Sequence, residues 1–230
     1  MSQPAADGRS GERSLHLTGR DALKDLATYV GRAGRVDAGG AARLVAHGEV
    51  VAVFVSPVHG GGGPTVMGLR AVRLAEPADV DTTVLLASLS DRFARIVGGG
   101  LVGPDAPVRL PLPPQEAADV PWAGMTPPRS GWEVVGTVPG RVLREAARAG
   151  VEEVAAGAGE GSGAQAVARL RALVWGRDLQ GVAGLPAGAA LAADALGFLG
   201  ADEPVGLHRT GAWRRLTTRH GHVLARSSLL

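Results

Sequence analysis

The segment Val205–Arg226, VGLHRTGAWRRLTTRHGHVLAR, constrains the fold more than any other. Val205–Arg209, Trp213–Thr218 and His222–Arg226 are short runs rich in Val, Leu, Thr and Trp. Gly211 and Gly221 fall between them, where a reversing chain calls for positive φ. The pattern predicts three antiparallel strands in a meander, with alternate side chains divided between two faces.

The same segment holds five arginines, three histidines and a tryptophan but no acid, the last carboxylate being Glu203. One reading makes it an anion cradle. Arg209, Arg214, Arg215 and Arg219 are then forked donors, Trp213 is a stacking plate, and His208, His220 and His222 lie on the same ligand surface. Arg209 falls near Arg214 or Arg215 depending on register, and His220 shares a face with His222 if the strand is continuous. The competing reading is a solvated outer face, with Trp213 in the core and arginine stems covering apolar surface. A third takes His208, His220 and His222 as ligands of a metal-dependent enzyme, although the segment offers them no carboxylate support.

Over the whole chain charge nearly cancels, for a formal net charge of +2, and the remainder is slightly negative, so any electrostatic footprint is local to this tail. The chain has no cysteine, which removes disulfides, Cys-ligated zinc, iron–sulfur clusters and thiol nucleophiles. Lys24 is the sole lysine, which eliminates a Walker A loop. The amino end is polar, without the apolar core of a signal peptide, and the most apolar stretch, Pro186–Leu199, is short and carries Asp194. No membrane contact and a cytoplasmic location are the expectation.

Along the chain, the residues predict a polar leader over 1–14 and an α+β unit over 15–98. A Pro/Gly-rich connection follows over 99–131, then a unit of three helices and the meander over 132–230, the two halves being able to share one sheet. In the first unit, Thr18 and Asp21 cap a helix carrying Leu23, Leu26 and Val30. A weaker helix spans 38–46, and the apolar run Glu49–Ser56 is a central strand. Thr65–Leu74 is the next strand, a Pro-containing turn covers 76–81, and TTVLLA is a third strand before a helix capped by Ser88. The connection holds eight of the fifteen prolines and ends near Trp122 and Trp132, read as rings that strap it down or as a partner contact. Beyond it, helices are expected from Pro139, from a Ser162/Gln165 capping box to Trp175, and from Pro186 to Leu199.

Several motifs fail their context. Gly60–Gly63 looks like a phosphate loop, but a strand rather than a helix follows, so a hairpin turn with a solvated His59 is the better reading. Gly161, Gly163 and Ala166 have dinucleotide-loop spacing without a preceding strand. Asp79 and Asp81 lack the further oxygen ligands a hard cation needs. The order helix, helix, helix, basic hairpin suggests a winged helix, yet its third helix has no Arg, Lys, Asn or Gln to read bases. Neither Gly-x-Ser-x-Gly nor His-Glu-x-x-His occurs, and no residue is assigned to catalysis and no cofactor is expected.

VAVFVSP with PTVMGLRAVRLAEP, WAGMTPPRSGW, and GAWRRLTTRHGHVLAR resemble an uncharacterised conserved protein family of GC-rich bacteria, over most of the chain after about Gly48. The resemblance implies no activity. The sequence thus points to an α+β protein, an antiparallel sheet packed against helices, acting as a binding or interaction module. Its partner is a second protein or a second copy, met through Trp122 and Trp132, or an anion or nucleic acid held by the meander.

Overall fold

The structure, a computed structural model, describes residues 13–60, 62–100, 103, 105–159, 163–200 and 203–226. Its elements are β1 (Ser14–Leu17), α1 (Arg20–Val36), β2 (Ala41–Val58), β3 (Thr65–Leu85) and α2 (Leu86–Gly98) in the first half. The short β4 (Val108–Pro111) lies within the connection. Then come β5 (Glu133–Pro139), α3 (Gly140–Gly157), α4 (Ala164–Gly176), the hairpin β6 (Asp178–Leu179) and β7 (Val182–Pro186), α5 (Gly188–Ala195), and β8 (Pro204–Thr210), β9 (Trp213–Thr218) and β10 (Gly221–Arg226). The fold is α+β.

One antiparallel sheet runs through both halves in the order β4-β1-β3-β10-β9-β8-β5, with β2 along the other side of β3. The joint is β10 on β3, where Val223 faces Gly68 and Leu224 faces Met67. The meander forms as its glycine punctuation predicts: β9 pairs with both β8 and β10, and Gly211 turns at φ 49°.

Two expectations about the first half are corrected. Residues 38–46 are not a helix: Ala42, Leu44 and Ala46 are buried in alternation with half-buried Arg43 and Val45, the period of a strand, and the run is the start of β2. Nor is 76–81 a turn. β3 continues through it to Leu85, pairing Asp79 with His47 and Asp81 with Val45. Pro77 is accommodated where the register shifts between Gly48 and Val50, so its missing N–H interrupts no ladder bond.

Caps differ as well. α1 starts after Gly19 without a side-chain cap, α2 starts at Leu86 so that Ser88 is inside it, and α4 starts after Gly163. Ser162 and Gly161 lie outside the described residues, as does the leader up to residue 12, while Ser14 opens β1. β5, unforeseen, occupies the stretch between Trp132 and α3.

Helices cover one face of the sheet. Leu23, Leu26, Val30 and Ala33 of α1, Leu143 and Ala147 of α3, and the alanines of α5 pack with Val53, Val55, Val66, Leu216 and Val223 in the main core. Sealed there, α5 presents no face to a DNA groove, which removes the winged-helix reading; Asp194 sits at its exposed margin. Across the sheet, Met67, Trp213 and Leu224 form a second apolar cluster, closed by Trp122, Met125 and Trp132 of the connection. That connection is a strap. Arg43 pins it, donating to Ala123 O at 2.6 Å while its other nitrogens grip both oxygens of Asp81 at 2.8 and 2.7 Å. Among the described residues no helix is long and apolar enough to cross a membrane.

Candidate anion-binding face

Strand alternation separates the cations that the sequence places side by side. Registers of β8 on β9 pair Arg209 with Arg214 and His208 with Arg215, so Arg214 and Arg215 leave β9 on opposite faces. Arg209 and Arg214 share the helix-side face at the rim, whereas His208, Arg215, Thr217 and His222 share the strap-side face.

Two of the four candidate arginines have carboxylate partners. Arg209 Nε donates to Glu133 of β5 at 2.9 Å, and Arg219 reaches Glu203 at 2.9 Å. Arg214 donates to the backbone oxygens of Gly211 and Trp213 at 3.3 and 3.1 Å, beside the β7 backbone, where a Cβ on Gly184 would lie 3.0 Å from its guanidinium.

Arg215 is different. Its guanidinium lies 4.5 Å from the centre of the Trp132 ring, its Nε is buried without a hydrogen-bond partner, and among the described residues no carboxylate pairs with it. Desolvation lowers its pKa from the ordinary arginine value, the signature of a cation kept from water without a counter-charge. Trp132 is itself held by Nε1 donating to Pro128 O at 3.0 Å.

Next to Arg215, Thr217 bridges two imidazoles. Its Oγ1 is 3.4 Å from His208 Nδ1 and 3.2 Å from His222 Nδ1. A hydroxyl carries one proton, so it satisfies both rings only if at least one of them donates its Nδ1–H. Gly206 makes room: a Cβ there would meet His208 Cε1 at 3.0 Å. His222 has its pKa lowered by burial, then by the nearby charges of Arg215 and His208.

The remaining candidates lie elsewhere. His220 is in the β9–β10 turn, where Nε2 accepts from Arg219 Nε at 2.9 Å and its backbone oxygen accepts from Arg70, itself forked onto Asp25 of α1. Among the described residues no three His, Asp or Glu side chains stand together as a metal site. Trp213 is buried under the strap with Arg226 5.9 Å from its ring centre, and Trp122 is 2% exposed, so neither ring is open to a ligand. Sequence reasoning missed Thr217 and Gly206. The two-residue turn Arg219–His220 was the available signal for Thr217, because it sets Thr217 opposite His222.

No curated protein matches the chain in sequence. Among solved structures, a crystal structure of the DNA polymerase sliding clamp from Pseudomonas aeruginosa with ligand is similar over 93% of this chain, at a TM-score of 0.46 and 12% identity. This chain spans 63% of that one. Residues 10–113 match the family model described as Domain of unknown function (DUF8010), and residues 127–230 match the one described as Domain of unknown function (DUF8185). The chain therefore resembles two uncharacterised domain families, one over each half.

Proposed function

We propose that this protein is a binding module that takes an anionic group, phosphate or carboxylate, on the strap-side face of its meander. Arg215 is the primary donor, with His208 and His222 flanking it. The observation that carries the reading is the half-buried Arg215 guanidinium held against Trp132, its Nε buried without a partner and no carboxylate paired with it among the described residues. A structural arginine at such a place would be expected to find a carboxylate, as Arg209, Arg219, Arg70 and Arg43 do.

Titration with inorganic pyrophosphate and with a single-stranded oligonucleotide, at low and at moderate salt, tests it. Binding should weaken with salt and fall by about tenfold or more in Arg215→Ala, because one charge-assisted fork is lost. Arg209→Ala, which removes a charge already matched by Glu133, should bind like the parent. Absence of binding, or equal loss in both variants, overturns the reading.

A second reading, self-association, is favoured by β5. This strand ends the sheet with Val134 77% and Val135 52% exposed, at the bulge where its register on β8 shifts. Sedimentation of the parent against Val134→Lys separates the two: a dimer dissolved by the substitution supports it, and a monomeric parent removes it.

A further inference from the structure

His59, Gly60 and Gly63, between β2 and β3, form one wall of a cleft of about 360 Å³ that shares no residue with the Arg215 face. The opposite wall is one face of α4, Ala168, Arg171 and Ala172, spaced as one helical stripe, and the end is closed by Val36 and Asp37 where α1 stops. Turn and helix are in contact: a Cβ on Gly63 would lie 3.6 Å from Ala172 Cβ.

The polar groups of this cleft are few and have no side-chain partners. Asp37 and Arg171 both line it, yet among the described residues neither forms an ion pair, with each other or with a third group. Arg171 is exposed and Asp37 half-buried, so each charge is solvated at the cleft and has no ion partner among the described residues. His59 Nδ1 is 2.9 Å from Ser56 O. A carbonyl only accepts, so Nδ1 carries the proton, and Nε2 is left as an acceptor on a ring that lines the cleft. Ser56 is in turn fixed, with its hydroxyl 2.9 Å from Val66 O. The histidine tautomer is set by the backbone carbonyl of a buried neighbour, while the ring itself is exposed at the cleft. Val36, Pro57, Val58 and the two alanines supply the apolar walls.

One anion and one cation, neither paired among the described residues, line a single cleft beside a ring acceptor and give it two poles of opposite sign. We infer that the cleft binds a small zwitterion. Arg171 takes its carboxylate, and Asp37 with His59 Nε2 takes its ammonium. The volume is within the range of small-ligand pockets, roughly 300–1,000 Å³.

The test is an amide NMR titration of the full chain, following Gly60 and Gly63, with glycine, β-alanine and γ-aminobutyrate. These three vary the spacing between the poles. Acetate and methylammonium supply each pole alone. At least one zwitterion should shift these amides saturably, with both single-charge probes weaker by about tenfold or more. Arg171→Gln and Asp37→Asn should each weaken that zwitterion by about tenfold, and Arg215→Ala should leave it unchanged. The inference is overturned if none of the three saturates, if acetate or methylammonium matches the best zwitterion, or if either cleft variant binds like the parent. The comparison of zwitterion with single ions is made on the parent chain, so it stands even where a variant melts early.

Discussion

The Arg215 guanidinium lies 4.5 Å from the centre of the Trp132 ring, on a strand face where no carboxylate pairs with it among the described residues. The stacking partner comes from the end of the strap and the cation from the meander, so residues 83 positions apart (215 − 132) build one feature. Cation–π attraction at a partly desolvated site is worth about 0.5–2 kcal/mol, and a buried unpaired donor costs about 1–3 kcal/mol. The two nearly cancel. Arg215→Met, which keeps the stem against Trp132, should therefore change stability by less than about 1 kcal/mol in chemical denaturation while it abolishes most anion binding.

His222 makes binding and stability depend on pH in opposite ways. The folded pKa of His222 is depressed below 6.5, so as pH falls past that value the unfolded chain takes up the proton first. Stability is complete above the unfolded pKa and declines from there down to the depressed folded value. An anion on Arg215 offsets the repulsion, so it raises the pKa of His222, and its affinity should increase as pH falls through the same window. His222→Gln should flatten both profiles, measured by urea denaturation and anion titration at about pH 7.5 and about pH 5.5.

Release of the strap should follow loss of Arg43. Its substitution by Ala removes the fork onto Asp81 and the bond to Ala123 O, at a cost of about 1–3 kcal/mol. Amide exchange over residues 112–132 should accelerate more than in α5. The Arg43 hydrogen bond also holds the Asp81 carboxyl below its usual 3.8. Stability from the pair is therefore present above that value and is lost as pH falls through the depressed one, a loss that Arg43→Ala should lack.

Gly206→Ala should push the His208 ring away from Thr217, since the new methyl would meet Cε1 at 3.0 Å. A changed His208 imidazole chemical shift with little change in melting temperature is expected, because the ring is half-exposed and can yield.

Gly68→Ala should be far more costly. Its Cβ would come to 2.2 Å from Leu196 Cδ1 and 3.0 Å from the Tyr29 hydroxyl, which is fixed by donating to Val53 O at 3.3 Å. Overpacking between β3, α1 and α5 should destabilise by about 1–3 kcal/mol, read as a lowered denaturation midpoint with an unchanged slope.

Local chemistry made the meander, the strand character of Glu49–Ser56 and the helix stripes of α1 and α3 legible from residue order alone, although that strand, expected to be central, pairs with β3 alone among the described residues. Each is specified by periodicity and turn residues within a few positions. The same reasoning misjudged residues 38–46 and 76–81, because an alanine-rich start and an internal proline are read correctly only when the partner strand and its bulge are known. The sequence by itself determined that the tail carries cations without acids of its own. Only the tertiary structure decided which cations stay unbalanced: Glu133 reaches Arg209 through the pairing of β5 with β8, while Arg215 meets an indole ring instead. Charge density is a property of the chain, but charge compensation depends on contacts between segments far apart in sequence, and those exist only once the sheet has closed.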